Sequence, residues 1–498
     1  MSADVRQERE FKLLMESDAR LPELNGVGGL AVRELDAHEA NSTYWETGSE
    51  RLAAWGCTLR FRGGTWTAKL GVEASAGALW RQEVSVSGQS GRVPTELRGL
   101  LRPFTRDEDL EPLAQLDAHR EAFEICAPDG ERLAVLTDDR VTASGAGVLT
   151  PSFREVEIEL TNGSGEQALL PVVHALVAAG ASAGDARPKL SRALGREVPA
   201  RPEIRVPEVS ATPTAREVIH AATATATCRL ISHLPVAWIG EDPEGVHQAR
   251  VAMRRLRSDL STWEVLVDRR WADPLRDELK WLGGRLGAVR DLDVLIDGVQ
   301  GLADGCEELD EESFAALIAD LESRREAVRT SMRRAIRSAR AASLLDGLVA
   351  AASDPPTAPQ ADDPARGLLQ PLVRRRWRRM RKAARRMPAA PPDAALHELR
   401  IRAKRLRYAA EAVRPAVGAP AQRLAKAAAA LQDALGDLND AAVATRILGG
   451  IAEEDRRAAF AAGQVSGLMI ARGQQVRGRW KRLWRELSRR TTRGWLDE

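Results

Sequence analysis

Two segments of the sequence carry a histidine followed by basic residues at helical spacing. The first segment contributes four such residues: His247, Arg250, Arg254 and Arg257. At 100° per residue, these side chains fall within roughly 80° of each other on one helix face. The second segment repeats the arrangement: His397, Arg400, Lys404 and Arg407. Guanidinium and imidazolium groups bind anions through charge-assisted hydrogen bonds, so both segments predict contact with a partner that carries many negative charges.

The opposite face of each segment predicts how the helix is positioned. Ala249, Met253, Leu256 and Leu260 form an apolar stripe in the first segment, and the second segment repeats it. A solvated surface is the alternative for the basic face, but ordinary solvated faces mix both charge signs at i,i+4 spacing. A repeat of this kind marks a duplicated structural unit.

The repeated motif H-x-x-R-V-x-x-R-R-L-R resembles the CHAD domain, and the resemblance covers about residues 213–490. It implies an all-α domain of two pseudo-symmetric four-helix bundles that binds inorganic polyphosphate. A further basic helix face is assigned to the same binding surface: Arg374, Arg378 and Arg381. A second repeated motif contains Gly287, Asp291 and Asp293 in one half and Gly436, Asn439 and Asp440 in the other. Its acids are interpreted as orienting partners for the basic side chains.

The N-terminal part of the chain alternates charged and apolar residues, as strands do. Glu8, Glu10 and Lys12 share one strand face, and Glu157 and Glu159 share another. Such faces commonly point to solvent. Here most of them mix acids and bases, which favours a closed antiparallel barrel with a polar tunnel and an apolar outer face covered by helices.

The predicted tunnel carries basic residues that suit phosphate: Arg60, Arg62, Lys69, Arg81 and Arg120. A triphosphate has about four to five negative charges at neutral pH, which these residues can neutralise. The acids would repel phosphate directly. A bridging divalent cation, Mg²⁺ or Mn²⁺, removes this conflict and can activate water for in-line attack.

The opening Glu8-x-Glu10-x-Lys12 resembles the CYTH superfamily of triphosphate tunnel metalloenzymes, and the resemblance extends over about residues 5–196. It implies that Glu8, Glu10 and Lys12 are catalytic and that Lys189 reaches the phosphate, although Lys189 could also be a surface residue. The implied metal ligands are carboxylates: Glu8, Glu10, Asp139, Glu157 and Glu159. The alternation of that strand is ambiguous and leaves open which of Asp138 and Asp139 faces inward; Asp139 is the preferred ligand.

The function expected from both resemblances is metal-dependent hydrolysis of inorganic triphosphate in the tunnel, with polyphosphate binding by the helical domain. One alternative is a non-catalytic polyphosphate-binding or targeting protein. The other is an enzyme that acts on a nucleotide, an RNA 5′ end or thiamine triphosphate. The expected partners are triphosphate and polyphosphate, including polyphosphate granules, and neither a membrane nor nucleic acid is expected.

The two resemblances together predict an α+β chain of two domains, and the distribution of charge agrees with it. Residues 1–200 hold 22 Lys and Arg against 31 Asp and Glu, whereas the remainder holds 51 against 40. The expected domains are 1–196, a Pro-rich linker at 197–213, and 214–498. Four scattered cysteines favour a reducing cytoplasmic location, and no apolar stretch reaches the ~20 residues of a membrane span.

Overall fold

The computed structural model describes residues 4–75, 78–145, 147–161, 164–183, 187–195, 202–303 and 310–497. It divides into two compact units, Met1–Glu203 and Ile204–Glu498. Residues 196–201 lie outside the described residues, and they include the first part of the expected linker, 197–201. Glu203, just after it, accepts hydrogen bonds from Trp55 Nε1 at 2.8 Å and Arg106 Nη1 at 3.0 Å, so this point of the chain is fixed to the first unit.

The first unit is a closed antiparallel barrel. Its strands are β1 (Asp4–Met15), β2 (Ala31–Thr47), β3 (Thr58–Arg62), β4 (Thr65–Ser75), β5 (Ala78–Ser87), β6 (Leu110–Cys126), β7 (Arg132–Gly145), β8 (Ser152–Leu160) and the short β9 (Ser182–Ala183). Hydrogen bonding runs β1–β5–β4–β3–β2–β6–β7–β8 and returns to β1, while β9 adds to β1. The barrel predicted from the alternation of charged and apolar residues is therefore confirmed.

One helix of this unit packs on the outside of the barrel, and another packs against residues of its inner wall. The helices are α1 (Arg51–Ala54), α2 (Thr95–Thr105), α3 (Leu170–Ala178) and α4 (Lys189–Ala193), with 3₁₀ turns at Val27–Gly29 and Glu166–Leu169. On the outside, α3 buries Val172 and Leu176 against a cluster that includes Phe11 of β1 and Ile158 of β8. On the inside, Leu190 of α4 packs in a separate cluster with wall residues of β2, β6 and β7.

The second unit is entirely helical. Its helices are α5 (Ala215–Ile239), α6 (Pro243–Thr262), α7 (Arg269–Ala303), α8 (Glu311–Arg337), α9 (Ala339–Ser353), α10 (Ala365–Arg385), α11 (Asp393–Ala412), α12 (Arg414–Val417), α13 (Ala419–Glu454), α14 (Ala459–Arg477), α15 (Trp480–Ser488) and α16 (Arg490–Arg493). Short 3₁₀ turns lie at Pro359–Asp362 and Gly494–Leu496. A capping box between Thr214 and Glu217 fixes the start of α5. The predicted α+β two-domain class is confirmed.

The two halves of the helical unit are related by a pseudo-two-fold arrangement. Ala215 N donates to the carbonyl of Asp363 at 3.1 Å, and Ala365 N donates to the carbonyl of Pro213 at 2.8 Å. These reciprocal bonds join the starts of α5 and α10. The two helices that carry the repeated motif, α6 and α11, also pack against each other. No helix among the described residues is both long and apolar enough to cross a membrane.

Candidate functional site

The acidic and basic residues at the start of the chain lie on the inner face of β1. Glu8, Glu10 and Lys12 are buried. Phe11 and Leu13, which alternate with Lys12, pack into the outer core. Because successive side chains of a strand point to opposite faces, this packing directs the three charged residues into the barrel. Cross-strand pairing then brings Glu10 opposite Glu159 and Lys12 opposite Glu157.

Lys12 is surrounded by carboxylates. Its Nζ lies 2.8 Å from Glu157 Oε1, 3.4 Å from Glu155 Oε1 and 3.6 Å from Glu10 Oε1. Burial alone would lower the pKa of Lys12, but these three negative charges outweigh it and raise the pKa. Lys12 is therefore held as an ammonium ion, which suits contact with phosphate oxygens and excludes a role as a general base.

Lys189 enters the barrel from the first residue of α4. Its Nζ lies 3.0 Å from Asp139 Oδ2 and 3.2 Å from Glu155 Oε1, and it also pairs with Glu157. From the sequence, Lys189 could be either a tunnel residue or a surface lysine. The structure places it inside, where the charges of the three carboxylates raise its pKa against the effect of burial.

A small cavity inside the barrel is lined mainly by basic and apolar side chains. Its lining residues are Ala40, Ser42, Tyr44, Arg60, Arg62, Leu116, Ala118, Arg120, Asp139, Val141 and Lys189. Burial and the positive charges of Arg60 and Arg120 lower the pKa of Arg62 to about 10. Burial is the larger cause of this shift, but four basic side chains and one carboxylate line the cavity, so it is suited to an anion.

Acids dominate a second region of the inner face. Lys69 Nζ lies 2.6 Å from Glu8 Oε1 and 3.4 Å from Glu83 Oε2, and Arg81 Nη2 lies 3.8 Å from Glu10 Oε1. Burial and the charges of Glu8, Glu83 and Glu10 raise the pKa of Glu159. Four carboxylates thus define this acidic region, Glu8, Glu10, Glu83 and Glu159, and they outnumber the cations paired with them, which are Lys69, Arg81 and, through Glu10, Lys12.

The acidic region fits a divalent cation in its chemistry. Carboxylate oxygens are the donors that Mg²⁺ and Mn²⁺ prefer, and Glu10 Oε1 is buried without a hydrogen-bond partner among the described residues. Over the described part of the chain, no group of three or more His, Cys, Asp or Glu side chains is arranged as a ready-made metal site. Two lysines are instead paired with carboxylates of this region: Lys69 with Glu8 and Glu83, and Lys12 with Glu10.

The adjacent residues Asp138 and Asp139 point to opposite sides of β7. Asp139 accepts two hydrogen bonds from Arg120, each 2.7 Å long, on the inner face. Asp138 accepts from Arg154 Nε at 2.8 Å and Nη2 at 2.6 Å, and Arg154 also donates to the carbonyls of Glu16 and Ala19. Asp139, the residue preferred from the sequence, is thus the one beside Lys189 and Arg120.

Replacing Asp138 with asparagine should lower the free energy of unfolding of the barrel by about 3–5 kcal/mol, because Arg154 would retain a buried charge without its counter-ion. Asp4→Asn is the matched control. It weakens the 2.7 Å ion pair between Asp4 and Arg6, both exposed, and should change stability by about 0.2–1 kcal/mol. Urea unfolding followed by circular dichroism measures both. Equal stabilities of the two variants would contradict this role for Asp138.

Three inner-face residues were assigned no role in the site from the sequence. Glu155 is fully buried and contacts both Lys12 and Lys189. Glu83 pairs with Lys69, and Tyr44 lines the cavity. The alternation of Glu155 with Val156 places it on the face of Glu157. Its contacts with two lysines from distant parts of the chain, however, require the folded barrel.

In the helical unit, a glycine lies against the first arginine of each repeated motif. Arg250 Nη1 donates to the carbonyl of Gly287 at 3.2 Å and to Asp291 Oδ1 at 3.1 Å. A Cβ at Gly287 would lie 3.6 Å from the Arg250 guanidinium, and one at Gly436 would lie 3.7 Å from that of Arg400. In both halves, the glycine therefore leaves room for the arginine side chain to pack against the neighbouring helix. The side chains of Asn439 and Asp440 lie outside the described part of the structure.

The basic faces of α6 and α11 converge on Arg254. Burial and the positive charges of Arg250, Arg400 and Arg407 lower the pKa of Arg254. The Nε atoms of Arg254 and Arg400 are buried, and neither has a hydrogen-bond partner among the described residues. His247 is half-buried nearby, and burial together with the charge of Arg290 lowers its pKa. His397, its counterpart, is exposed.

The basic helix α10 presents two flanks on either side of its buried stripe. On the flank chosen from the sequence, Arg374 donates to the carbonyl of Leu496, while Arg378 is exposed and Arg381 is half-buried. On the other flank, Arg376 Nη2 donates to the carbonyl of Ser261 at 2.6 Å. This second flank therefore lies against α6, and the apolar periodicity of α10 did not distinguish it from the first.

A family model and two relatives match this chain. The model of the CHAD domain family matches residues 221–449, which confirms that prediction. Two uncharacterized proteins from strains of Mycobacterium tuberculosis are each 30% identical to this chain over 466 residues, covering 88% of this chain and 86% of the relative. The barrel expected from the CYTH resemblance is confirmed as a fold, and membership of that superfamily remains a prediction.

Two solved structures are similar to parts of the chain. The crystal structure of the CHAD domain from the plant Ricinus communis is 26% identical, with a TM-score of 0.46, and the match covers 59% of this chain and 95% of that one. The Hippeastrum protein HpAC1, which has a dominant triphosphatase activity, is 16% identical, with a TM-score of 0.27. That match covers 39% of this chain and 98% of the other.

Proposed function

This chain belongs to the family of the two mycobacterial proteins and carries a CHAD domain, and on that premise we propose that its barrel hydrolyses inorganic triphosphate while its helical unit binds polyphosphate. The observation that carries the first part is the separation of charge inside the barrel. Arg60, Arg62 and Arg120 line the cavity, whereas the acidic region collects the carboxylates of β1, β5 and β8. An anion and a cation can therefore bind side by side in one closed barrel.

The basic residues bind and orient the substrate in this proposal. Arg60 and Arg62 lie on β3 and Arg120 on β6, so they can contact phosphate oxygens from different walls. Lys12 and Lys189 supply two further positive charges from the centre of the inner face. Their carboxylate partners keep both ammonium groups in place before substrate enters. A phosphate oxygen then replaces a carboxylate oxygen as the partner, which limits the net energy of binding.

The acidic region would hold a divalent cation through Glu8, Glu10 and Glu159. The other two carboxylates expected to bind metal are paired with basic residues instead: Glu157 with Lys12 and Lys189, and Asp139 with Arg120 and Lys189. When bound, Mg²⁺ or Mn²⁺ neutralises the repulsion between these carboxylates and phosphate and activates water for in-line attack. Burial is the main cause of the raised pKa of Glu159, and the charges of Glu8, Glu83 and Glu10 add to it; a cation bound by these carboxylates would relieve their repulsion. The chain's own lysines and arginines meanwhile stabilise the negative charge on the phosphoryl oxygens.

Phosphate release from a panel of substrates, with and without chelator, tests the proposed activity. Inorganic triphosphate should be hydrolysed fastest, and ATP, thiamine triphosphate, RNA with a 5′-triphosphate and long-chain polyphosphate should be slower. Chelator should stop the reaction, and added Mg²⁺ or Mn²⁺ should restore it. A preference for one of the organic triphosphates would shift the assignment to that substrate. Binding of triphosphate with no hydrolysis at all would favour the non-catalytic alternative.

The second part of the proposal rests on the convergence of α6 and α11. Arg254 lies near Arg250, Arg400 and Arg407, and the Nε atom of Arg254 is without a described partner. A polyanion that lies across both helices would satisfy these groups and neutralise several charges at once, with release of its counterions. Polyphosphate has the required charge density and no bulky substituents.

A further inference from the structure

The pseudo-two-fold relation between α6 and α11 creates two flanks beside the motif residues. An offset of 150 residues relates His247 to His397 and likewise relates the start of α5 to the start of α10. One flank contains Arg255 and Arg407, and the related flank contains Arg405 and Arg257. If the symmetry were complete, both flanks would carry the same balance of charge.

The flank of Arg255 and Arg407 is neutralised. Arg255 Nη1 lies 2.6 Å from Glu411 Oε2, and Arg407 Nε lies 2.8 Å from Glu411 Oε1. Arg255 Nε also lies 2.7 Å from the buried Asp259. Both guanidinium groups lie within 6 Å of the Tyr408 ring centre, at 5.9 and 5.8 Å. This flank therefore offers little free positive charge to a ligand.

The flank of Arg257 and Arg405 lacks the equivalent neutralising residues. At the related positions, Ser261 replaces Glu411, Ala409 replaces Asp259 and Ser258 replaces Tyr408. Ser261 instead accepts hydrogen bonds from Arg376 of α10, at 2.6 Å to its carbonyl and 2.9 Å to its hydroxyl. This flank therefore lacks the carboxylate of Glu411 and gains the positive charge of Arg376 from α10.

Further arginines surround the same point. Burial and the charge of Arg276 and Arg405 lower the pKa of Arg257, and burial and the charges of Arg379 and Arg405 lower that of Arg376. Three acids partly offset these charges, and one of them, Asp273, lies 3.2 Å from Arg276 Nη1. Asp277 acts on Arg257, and Glu264 acts on Arg376 while pairing with Arg375 at 3.0 Å. Arginine remains in excess, and Arg379 and Arg405 are both exposed.

We propose that a linear polyphosphate bound across α6 and α11 continues over the flank formed by Arg257, Arg376, Arg379 and Arg405, and does not continue over the flank of Arg255 and Arg407. This inference rests on the proposed polyphosphate binding. It adds a subsite that extends from the motif residues over one flank only. It makes the helical unit selective for long chains, because a short chain is satisfied by the motif residues between the two flanks: His247, Arg250, Arg254, His397, Arg400 and Lys404. A flexible, unbranched polyanion fits a surface assembled from three different helices.

The test compares long-chain and short-chain polyphosphate binding to the full chain in a salt series. The variant Arg379→Gln with Arg405→Gln removes two exposed charges. We expect long-chain affinity to fall about tenfold and the slope of log affinity against log salt to decrease by about two, with short-chain affinity unchanged. Arg379→Lys with Arg405→Lys, which preserves both charges, should retain the wild-type salt slope.

Arg334→Gln with Arg337→Gln is the matched control, since both arginines are exposed in the last turn of α8. Unchanged long-chain affinity and salt slope in the Arg379/Arg405 variant would overturn the inference and leave polyphosphate binding itself intact. An equal loss in the control would also overturn it, because the effect would then reflect total charge. If the wild-type chain binds no polyphosphate, the proposed function of the helical unit fails first.

Discussion

Replacing Glu10 with glutamine should reduce phosphate release from triphosphate by about 10³-fold or more, because a charged group in a preorganised site contributes several kcal/mol to transition-state stabilisation. Glu10 is buried on the inner face, 3.6 Å from Lys12 and 3.8 Å from Arg81. Glutamine keeps the shape but removes a carboxylate donor to the expected cation. It also removes one of the three negative charges that hold Lys12.

Two measurements separate these consequences from a loss of fold. Calorimetric titration with Mn²⁺ should show weaker metal binding in the Glu10→Gln variant, and its thermal transition should remain cooperative. Glu34→Gln, at an exposed position on β2, is the control and should keep wild-type turnover. Wild-type turnover in the Glu10 variant, or full activity of the native chain in excess chelator, would contradict the metal-dependent mechanism.

The inner face of the barrel could be predicted because strand periodicity determines it. Once Phe11 and Leu13 are assigned to the core, Glu10 and Lys12 must face the other way. The same reasoning fails for Asp138 and Asp139. Two consecutive acids occupy opposite faces, both are buried, and only the position of Arg154 on β8 shows which one belongs to the outer side.

Helical periodicity likewise predicted the basic faces of α6 and α11 but not the flank of α10 that joins them. Val373 and Trp377 define the buried stripe of α10, and arginines stand on both sides of it. The choice between those sides depends on the contact of Arg376 with Ser261 of another helix. Periodicity within one helix carries no information about such a contact. The replacement of Glu411 by Ser261 is seen only when the two segments are compared at an offset of 150 residues.

Reversing two charges at the centre of the helical unit, Arg254→Glu with Lys404→Glu, should weaken long-chain polyphosphate binding by about 10³-fold or more. Each charge-assisted hydrogen bond contributes about 1.5–3 kcal/mol, and the new carboxylates add repulsion. Arg254 and Lys404 occupy equivalent positions of the two repeats, and both are half-buried. The salt dependence should fall with the affinity, by about one unit of slope for each phosphate contact that is lost.

Triphosphate hydrolysis by the same variant should remain at the wild-type rate, because the substrate cations of the barrel are Arg60, Arg62 and Arg120 with Lys12 and Lys189. Arg334→Glu with Arg337→Glu makes the same change in net charge at the end of α8 and controls for long-range electrostatics. Binding and hydrolysis measured on one preparation thus report on the two units separately. Native affinity and salt slope in the folded Arg254/Lys404 variant would mean that the motif faces of α6 and α11 are solvated surfaces, since a polyanion in contact with them could not tolerate four units of added negative charge.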